Sequence, residues 1–400
     1  MQASRFGDSI REFHDDGPGP GNVLARLDPL LLLATLGLVA ASLYVIAGAT
    51  ADDVPGNPYY FVMRQGVYIA VGILLMLVIS RFDYSRLREL RMGIYAALIG
   101  LIVLVLAIGT AARGSRRWIE FPFFTFQPSE FGKVLLILAL SAFIVDRTRK
   151  VSARETTSRI MLLALLPAGL VVIQPDLGTG LVYVTVAVAL LFVAGTKWTH
   201  FAALAGLAVV ATALALVVAP KVGVEVLKPY QVDRLTSFLN PSYNPQGEGY
   251  QVSQSITAIG AGQKTGRGAD SATQTKLDFL PEHHTDFVFS VVGEEFGFMG
   301  AAIILSLYAL MIWRCLRILT TAKNLYGALI AGGIVAMLMF QIFVNVGMTI
   351  GIMPVTGVTL PLMSYGGASV ITTFLALGLL QSIHAQARAT AAAKGREAFV

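Results

Sequence analysis

Ten stretches of this 400-residue chain, near 29–48, 62–80, 92–109, 128–145, 159–174, 177–195, 199–219, 286–312, 325–350 and 366–384, are apolar over lengths that match a hydrocarbon layer. About 20 apolar residues in helical form cross the roughly 30 Å of a bilayer core. In lipid each backbone amide and carbonyl must be satisfied inside its own element. A chain with ten such runs is thereby restricted to a bundle of spanning helices. Composition agrees, since charged residues make up 14% of the chain, against about a quarter in a soluble globular protein. The pattern predicts an all-α polytopic membrane protein with about ten transmembrane helices. An even number of crossings returns the C-terminus to the side of the N-terminus.

Lysine and arginine set the expected orientation. With a cytoplasmic N-terminus, the inside segments (the tail, 81–91, 146–157, 196–198, 313–324 and the C-terminal tail) carry 18 of them, and the short outside loops carry 3. Such asymmetry is the positive-inside signature. It predicts a polar cytoplasmic tail over 1–28, a ten-helix membrane domain over 29–385 and a second cytoplasmic tail over 386–400. No apolar core near the start resembles a signal peptide, so the first tail is expected to stay uncleaved. The connection 220–285, between the seventh and eighth spans, becomes a large extracytoplasmic loop, whose cations count for little because long translocated segments escape the rule. The net charge of +6 reflects this bias and points to membrane lipids, not nucleic acid, as the surroundings. The single cysteine, Cys315, excludes an intramolecular disulfide framework. No internal repeat of useful strength is visible, which weighs against an inverted-repeat transporter.

Within that frame, "LPEHHTDFVFSVVGEEFG", 280–297, keeps its charge as it turns apolar. A carboxylate at membrane depth is expensive and is by default a functional suspect. Asp286 falls at the outer water–lipid boundary, where partial desolvation raises a carboxyl group toward the range of a general base. Its bland reading is an N-terminal cap of the eighth span, a task Thr285 would serve as well. His283 and His284 lack a partner at structural-zinc spacing, so no metal site is expected there. Glu294 and Glu295 point about 100° apart on a helix. They are expected as structural ion-pair partners, flanked by Gly293, Gly297 and Gly300, which allow close packing.

In "FQPSEFGK", 126–133, Glu130 and Lys133 share one helix face at i, i+3. Either they neutralise each other, or the glutamate orients a lysine held for a substrate phosphate. Arg64 is a third charge, at the start of the second span. "RGSRRW", 113–118, breaks the positive-inside rule, and headgroup binding and recognition of an anionic substrate both explain it. Arg64, Arg113, Arg116, Arg117 and Lys133 together put cations on the outer side, a set that suits a pyrophosphate. "GIMPVTGVTLPLMSYGGAS", 351–369, is uncharged and rich in Pro, Gly and hydroxyls. Non-helical backbone at that depth is tolerated where protein buries it or where it lines a cavity, so this segment reads as a cavity wall. In the long loop, "FLNPSYNPQGEGYQ", 238–251, reads as an ordered turn segment, and "SQSITAIGAGQKTGRGADS", 253–271, as a short interfacial helix or re-entrant piece with a glycine turn.

Taken together, "FLPEHHTDFVFSVVGEEFG", "FQPSEFGK", "QPDLGT", "NPSYNPQGEGYQVSQS" and "MPVTGVTLPLMSYGGAS" resemble the SEDS family of shape, elongation, division and sporulation proteins, over about residues 28–385. The last block and "YQVSQSITAIG" are worded more like the elongation branch (RodA) than the division branch (FtsW). The resemblance implies a peptidoglycan glycosyltransferase that polymerises lipid II at the outer face of the bacterial cytoplasmic membrane. It also implies a partner, a class B penicillin-binding protein acting as transpeptidase. The family's catalytic acid falls on Asp286, its charged pair on Glu130 and Lys133, and its second-helix arginine on Arg64. Arg116, Arg117, Trp118, His284, Thr285 and Ser364 complete the set expected to bind lipid II and the polyprenyl-pyrophosphate-linked glycan. A divalent cation, Mg or Mn, on the pyrophosphate is compatible with this chemistry, although no carboxylate cluster demands one. Asn244 stands where the family often has Asp, and "GAGQKTGRG" departs from its usual glycine-rich wording. Two other readings stay open: a flippase for a lipid-linked precursor, which needs the cavity and cations but no base, and a non-catalytic scaffold, for which the buried charges are unexplained cost.

Overall fold

The computed structural model describes residues 27–112, 115–121, 124–147, 154–214, 234, 236, 238, 248–277 and 279–397. Arg113, Asn244, the tail before Leu27 and most of the 220–247 stretch lie outside the described residues. The helices are α1 (Pro29–Ala49), α2 (Tyr60–Ser80), α3 (Arg91–Ile108), α4 (Pro128–Val145), α5 (Arg154–Ile173), α6 (Leu177–Val193), α7 (Trp198–Ala213), α8 (Glu248–Gly262), α9 (Thr273–Lys276), α10 (Val288–Thr321), α11 (Leu325–Thr349) and α12 (Gly367–Glu397). Eight of them are long and apolar enough to cross a membrane, and the shorter apolar α6 and α7 bring the apolar helices to the ten expected. Observed ends follow the apolar runs, except that α10 and α12 continue well beyond them.

Capping residues explain several starts. Asp28 Oδ1 accepts from Leu31 N at 2.9 Å ahead of Pro29 in the first turn of α1. Asp176 does the same for α6 through Thr179 N, and Asn324 for α11 through Gly327 N. The buried centre is formed by α4, α11 and α12, while α3 keeps most of its surface outward. α12 packs along α2, and α10 along α1 and α11. Leu33, Val67, Leu74 and Val209 face outward, an arrangement that water penalises and lipid accepts. Asp28 N donates to Gln381 Oε1 at 2.8 Å, so the start of α1 and the far half of α12 share one end of the bundle.

Two features differ from a plain ten-helix reading. The connection 109–127, between α3 and α4, holds a small antiparallel sheet of β1 (Thr110–Ala112), β2 (Ser115–Glu120) and β3 (Thr125–Phe126), in the order β1-β2-β3. Thr110 pairs with Trp118 and Ile119 with Phe126. The second difference is a break inside α10 at Gly297, whose φ of +62° an L side chain resists. The turn 263–268 fills the break. Arg267 and Gly268 amides donate to the carbonyls of Glu294 and Glu295, both at 2.9 Å, while Phe298 and Met299 amides donate to those of Gln263 and Lys264 at 2.9 and 3.1 Å. The backbone groups freed at the break are thus satisfied, as a water-poor layer demands. A Cβ on Gly262 would lie 1.8 Å from Gly293 O, so α8 reaches α10 this closely only because it carries glycine there. This is the short helix and glycine turn that the 253–271 pattern predicts.

Glu294 departs from the ion pair expected of it. Its carboxylate accepts from Gln274 N at 2.8 Å, Thr275 N at 3.1 Å and Thr275 Oγ1 at 2.8 Å, and so caps α9 and anchors the long loop. Glu295 is buried against Gly48 of α1, where an added Cβ would lie 3.2 Å from its Oε1.

Candidate active site

Where α10 begins, a cavity of about 450 Å³ opens between the helix ends. Arg64 and Tyr68 of α2, Arg117 and Trp118 of β2, and Gln127 and Glu130 at the start of α4 line it on one side. Glu282, Thr285 and Asp286 ahead of α10 line it on another, with Arg234 and Gln251 from the long loop. The α11–α12 connection closes it through Val355, Gly357, Thr359 and Tyr365, as its Pro- and Gly-rich wording predicts for a cavity wall.

Asp286 is held by its backbone. Asn345 Nδ2 donates to the Asp286 carbonyl at 2.9 Å and to the Val358 carbonyl at 2.8 Å, stapling the start of α10 to the α11–α12 connection. Tyr365 N adds a second staple to His284 O at 2.9 Å. The N-cap position of α10 is Phe287, with no side-chain cap bond, so the carboxylate of Asp286 lines the cavity and the cap reading is not realised. Gly357, at φ +70°, brings its backbone against that carboxylate: a Cβ there would lie 3.6 Å from Oδ2. Thr285 Oγ1 donates to Glu282 Oε2 at 2.9 Å.

Glu130 and Lys133 do meet, at 2.7 Å, with side chains only 8% and 2% exposed. Their order reverses the expectation of a lysine offered to phosphate. Glu130 reaches the cavity wall, with Oε2 buried and lacking a hydrogen-bond partner among the described residues, and Lys133 stands behind it. Arg64 lies over the Tyr60 ring at 4.6 Å and Arg117 over the Trp118 ring at 4.4 Å. Arg117 Nε is buried with no hydrogen-bond partner among the described residues. Arg116 lies on β2 opposite Ala111. Ser364 supports the wall from behind: its Oγ accepts from Leu360 N at 2.8 Å and its carbonyl accepts from Gln65 Nε2 at 3.2 Å. His284 also stands behind the lining, its ring 4.8 Å from Phe61 and 5.6 Å from Tyr365. Burial pushes the Tyr365 phenol up to about 12, with Tyr68 adding to the shift and Arg64 opposing it, so it serves as a neutral hydroxyl.

Several cavity residues had no strong sequence signal. Gln127 and Asp176 form a network with Trp118: Trp118 Nε1 donates to Gln127 Oε1 at 3.3 Å, and Gln127 Nε2 to Asp176 Oδ2 at 3.1 Å. In "QPDLG" the acid reads as part of a tight turn, and only its isolation from any local cation hints at more. Arg234 reads as one loop cation among several, and Glu282 as loop polarity. The assembled site opposes a carboxylate, a proton acceptor, to the guanidinium groups of Arg64, Arg117 and Arg234. That combination can activate a hydroxyl and stabilise an anionic leaving group.

The model of the FtsW/RodA/SpoVE family, described as cell cycle protein, matches residues 26–389. Stage V sporulation protein E of Bacillus subtilis (strain 168) is 36% identical over 361 residues, covering 90% of this chain and 95% of that protein. Peptidoglycan glycosyltransferase MrdB of Escherichia coli (strain K12) is 37% identical over 359 residues, covering 90% and 94%. Among solved structures, a chain from work on the structural coordination of polymerization and crosslinking by a peptidoglycan synthase complex superposes with a TM-score of 0.76. It is 34% identical, with 90% of this chain and 98% of that one covered. Matching nearly end to end in both sequence and fold, with the acid-bearing strap and the wall opposite it inside the matched region, the chain belongs to the SEDS family of FtsW, RodA and SpoVE.

Proposed function

We propose that Asp286 is the general base with which this chain, a peptidoglycan glycosyltransferase, joins lipid II units into glycan. The acceptor's 4-hydroxyl on N-acetylglucosamine is a weak nucleophile. As it attacks the anomeric carbon of N-acetylmuramic acid at the end of the growing strand, its proton passes to the Asp286 carboxylate. The bond from that carbon to the pyrophosphate oxygen breaks, and polyprenyl pyrophosphate leaves with the electron pair. Arg64, Arg117 and Arg234 neutralise the charge that develops there, helped by Arg116 of the same strand. Trp118 and Thr285 bound the sugar-binding space, while His284, Ser364 and the Glu130–Lys133 pair hold the wall in shape.

Among the described residues, the cavity carboxylates Glu130, Glu282 and Asp286 do not gather into a metal-ligand cluster. A Mg or Mn ion would therefore enter held by pyrophosphate oxygens. The observation that carries the reading is the placement of Asp286 on the cavity wall, facing guanidinium groups, without service as a helix cap. Asp286→Asn keeps shape and polarity but cannot take a proton. Purified with its transpeptidase and given labelled lipid II, that variant should bind substrate and lose nearly all polymerisation. Normal polymerisation by a well-folded variant would end the proposal, and a flippase would be equally indifferent to the change.

The wider setting is proposed on the lysine and arginine asymmetry: the bacterial cytoplasmic membrane, both termini inside, the long loop and cavity outside. Cysteines introduced at Ser4 and Ser242 should then label from opposite sides of intact cells, against a background in which native Cys315 is buried. A class B penicillin-binding protein is the proposed partner, supported by the likeness to a chain of a peptidoglycan synthase complex, and cell elongation is the proposed setting, on the wording of the 353–367 and 250–260 segments.

A further inference from the structure

The residues just ahead of Asp286 make a cluster that the polymerisation chemistry does not use. His283 Nε2 lies 3.4 Å from Asp53 Oδ2, and His284 Nδ1 lies 3.9 Å from the same oxygen. One ligating atom from each of the three falls within 4.8 Å of the others. Asp53 comes from the α1–α2 connection, so the sequence places it far from the two histidines and the fold brings it back.

Hydrogen-bond chemistry fixes what these atoms present. His283 Nδ1 lies 3.2 Å from the Leu280 carbonyl, and a carbonyl oxygen only accepts, so Nδ1 carries the proton. In the neutral ring, Nε2 then offers a lone pair. That lone pair is buried and makes no hydrogen bond among the described residues, yet it faces a carboxylate oxygen, itself an acceptor. A second proton on Nε2 or a cation shared with the carboxylate reconciles the two, and the convergence of a second imidazole, His284, on the same Asp53 oxygen favours the shared cation. Metal-ligating histidines characteristically donate their other N–H to a carbonyl or carboxylate, which fixes the tautomer and aims the ring.

We propose that Asp53, His283 and His284 bind one divalent cation of the borderline first-row class, with Zn²⁺ as the type. Bonds of about 2.0–2.2 Å to nitrogen and carboxylate oxygen in a tetrahedral shell place neighbouring ligand atoms about 3.3–3.5 Å apart. The His283–Asp53 spacing of 3.4 Å already matches, and the His284 ring, at 3.9 Å, has to draw in by about 0.5 Å. Two imidazoles and one carboxylate select this class over Mg²⁺ or Ca²⁺, which take oxygen ligands. Three protein ligands leave a fourth position for water. The bound ion ties the α1–α2 connection to the strap that carries Asp286, and so sets the position of that strap. Metal binding at this site stands or falls independently of the role of Asp286 as base.

The test uses the full chain without a histidine tag, in detergent, stripped with chelator. Titration with Zn²⁺ should show one saturable site per chain, with a rise in melting temperature as the site fills. Mg²⁺ at the same concentrations should neither bind there nor displace Zn²⁺. Asp53→Asn and His283→Gln should each weaken Zn²⁺ binding by at least about 100-fold, since losing a ligand costs more than the roughly 10–100-fold of losing a group behind one, and should remove the metal-dependent rise in melting temperature. Co²⁺ on the native chain should give the visible absorption of a nitrogen-ligated site that Zn²⁺ bleaches, a readout that requires no variant to fold. Absence of saturable Zn²⁺ binding and of the Co²⁺ band would overturn the proposal in favour of a simple imidazolium–carboxylate pair. Zn²⁺ affinity in both variants equal to that of the native chain, or equal competition by Mg²⁺, would overturn it as well.

Discussion

The bundle has a cavity at each end, and the two are close in size, about 390 Å³ at the end where α4 finishes and about 450 Å³ at the end where α10 begins. Both are lined by arginines and acids. In the first, the charges close on one another: Arg88 Nη2 lies 2.9 Å from Asp146 Oδ1 and Arg91 Nε 2.9 Å from Asp146 Oδ2. Nearby, Asp28 receives Arg314, whose Nε donates to both carboxylate oxygens at 3.0 and 3.1 Å, together with the Leu31 amide. In the second cavity, Asp286, Glu130, Arg64, Arg117 and Arg234 stand round the space, and both Glu130 and Arg117 keep a buried polar atom without a hydrogen-bond partner among the described residues. Residue type and cavity volume therefore do not separate a structural end from a chemical one. What separates them, among the described residues, is that the second keeps single buried polar atoms of Glu130 and Arg117 beside the cavity that no hydrogen bond completes.

The largest effect expected from this contrast is on Asp286. Asp286→Asn should lower polymerisation by about 10²–10⁴-fold, the usual contribution of a general base, while the melting temperature stays close to that of the native chain. Glycan formation and thermal unfolding measured on one preparation check both halves. A variant that loses stability in proportion to activity would move Asp286 to the structural class.

Asp28 should show the opposite pattern. Its side chain is fully buried, and removing one partner of a buried ion pair costs about 3–5 kcal/mol. Asp28→Ala should therefore lower thermal stability strongly, with activity per folded molecule retained. Loss of activity in a variant that remains folded at the assay temperature would show that the closed end also works on the substrate.

How much of this contrast the sequence could carry depends on the range of the interactions. The spans are readable because lipid imposes one rule on every residue of a run, and the Glu130–Lys133 contact because i, i+3 spacing is local. Asp286 is readable because an acid at the edge of an apolar run is anomalous wherever the run packs. Arg234, by contrast, lines the cavity only because the fold brings the long loop to it, and Asp176 supports the wall only through Gln127 of another segment. The break at Gly297 looks from sequence like a packing glycine, since the turn 263–268 that completes it lies in another element. Glu294 was expected in an ion pair for the same reason: its actual partners, the amides of Gln274 and Thr275, carry no side-chain signal. The β1–β3 sheet is too short and too mixed in polarity to announce itself.

Acid titration sharpens the comparison on a smaller scale. Burial alone would push the Asp28 carboxyl up, but the Arg314 hydrogen bond, the Leu31 amide and the Arg314 charge together hold it below its ordinary 3.8. A carboxyl whose folded value is depressed contributes stability that is fully present above its unfolded value and is lost as pH falls through the folded one. The native chain should therefore lose an increment of stability below about pH 3.8, and Asp28→Asn should lack that increment. Denaturation midpoints of both chains across pH 2.5–5, about one unit either side of the transition, will show it. Parallel curves would mean that Asp28 is not the group responsible.

The smallest effect belongs to Asp146. Its side chain is 29% exposed and its partners Arg88 and Arg91 are 46% and 37% exposed, so water screens both contacts. Exposed pairs contribute about 0.2–1 kcal/mol, and less at high salt. Asp146→Ala should lower stability by no more than that, and the difference should shrink as salt is raised. The variant also makes the sharper test of the comparison, because it leaves two arginines facing a cavity of nearly the same size as the one at Asp286. If unpaired guanidinium groups beside a cavity were enough to engage lipid-linked pyrophosphate, this end would begin to compete for substrate and polymerisation would fall. With the acid, the Gly357 approach and the Asn345 staple all at the other end, the expected result is unchanged polymerisation. A marked loss in a chain that remains folded would show that closing the charges at this end is itself part of how the enzyme works.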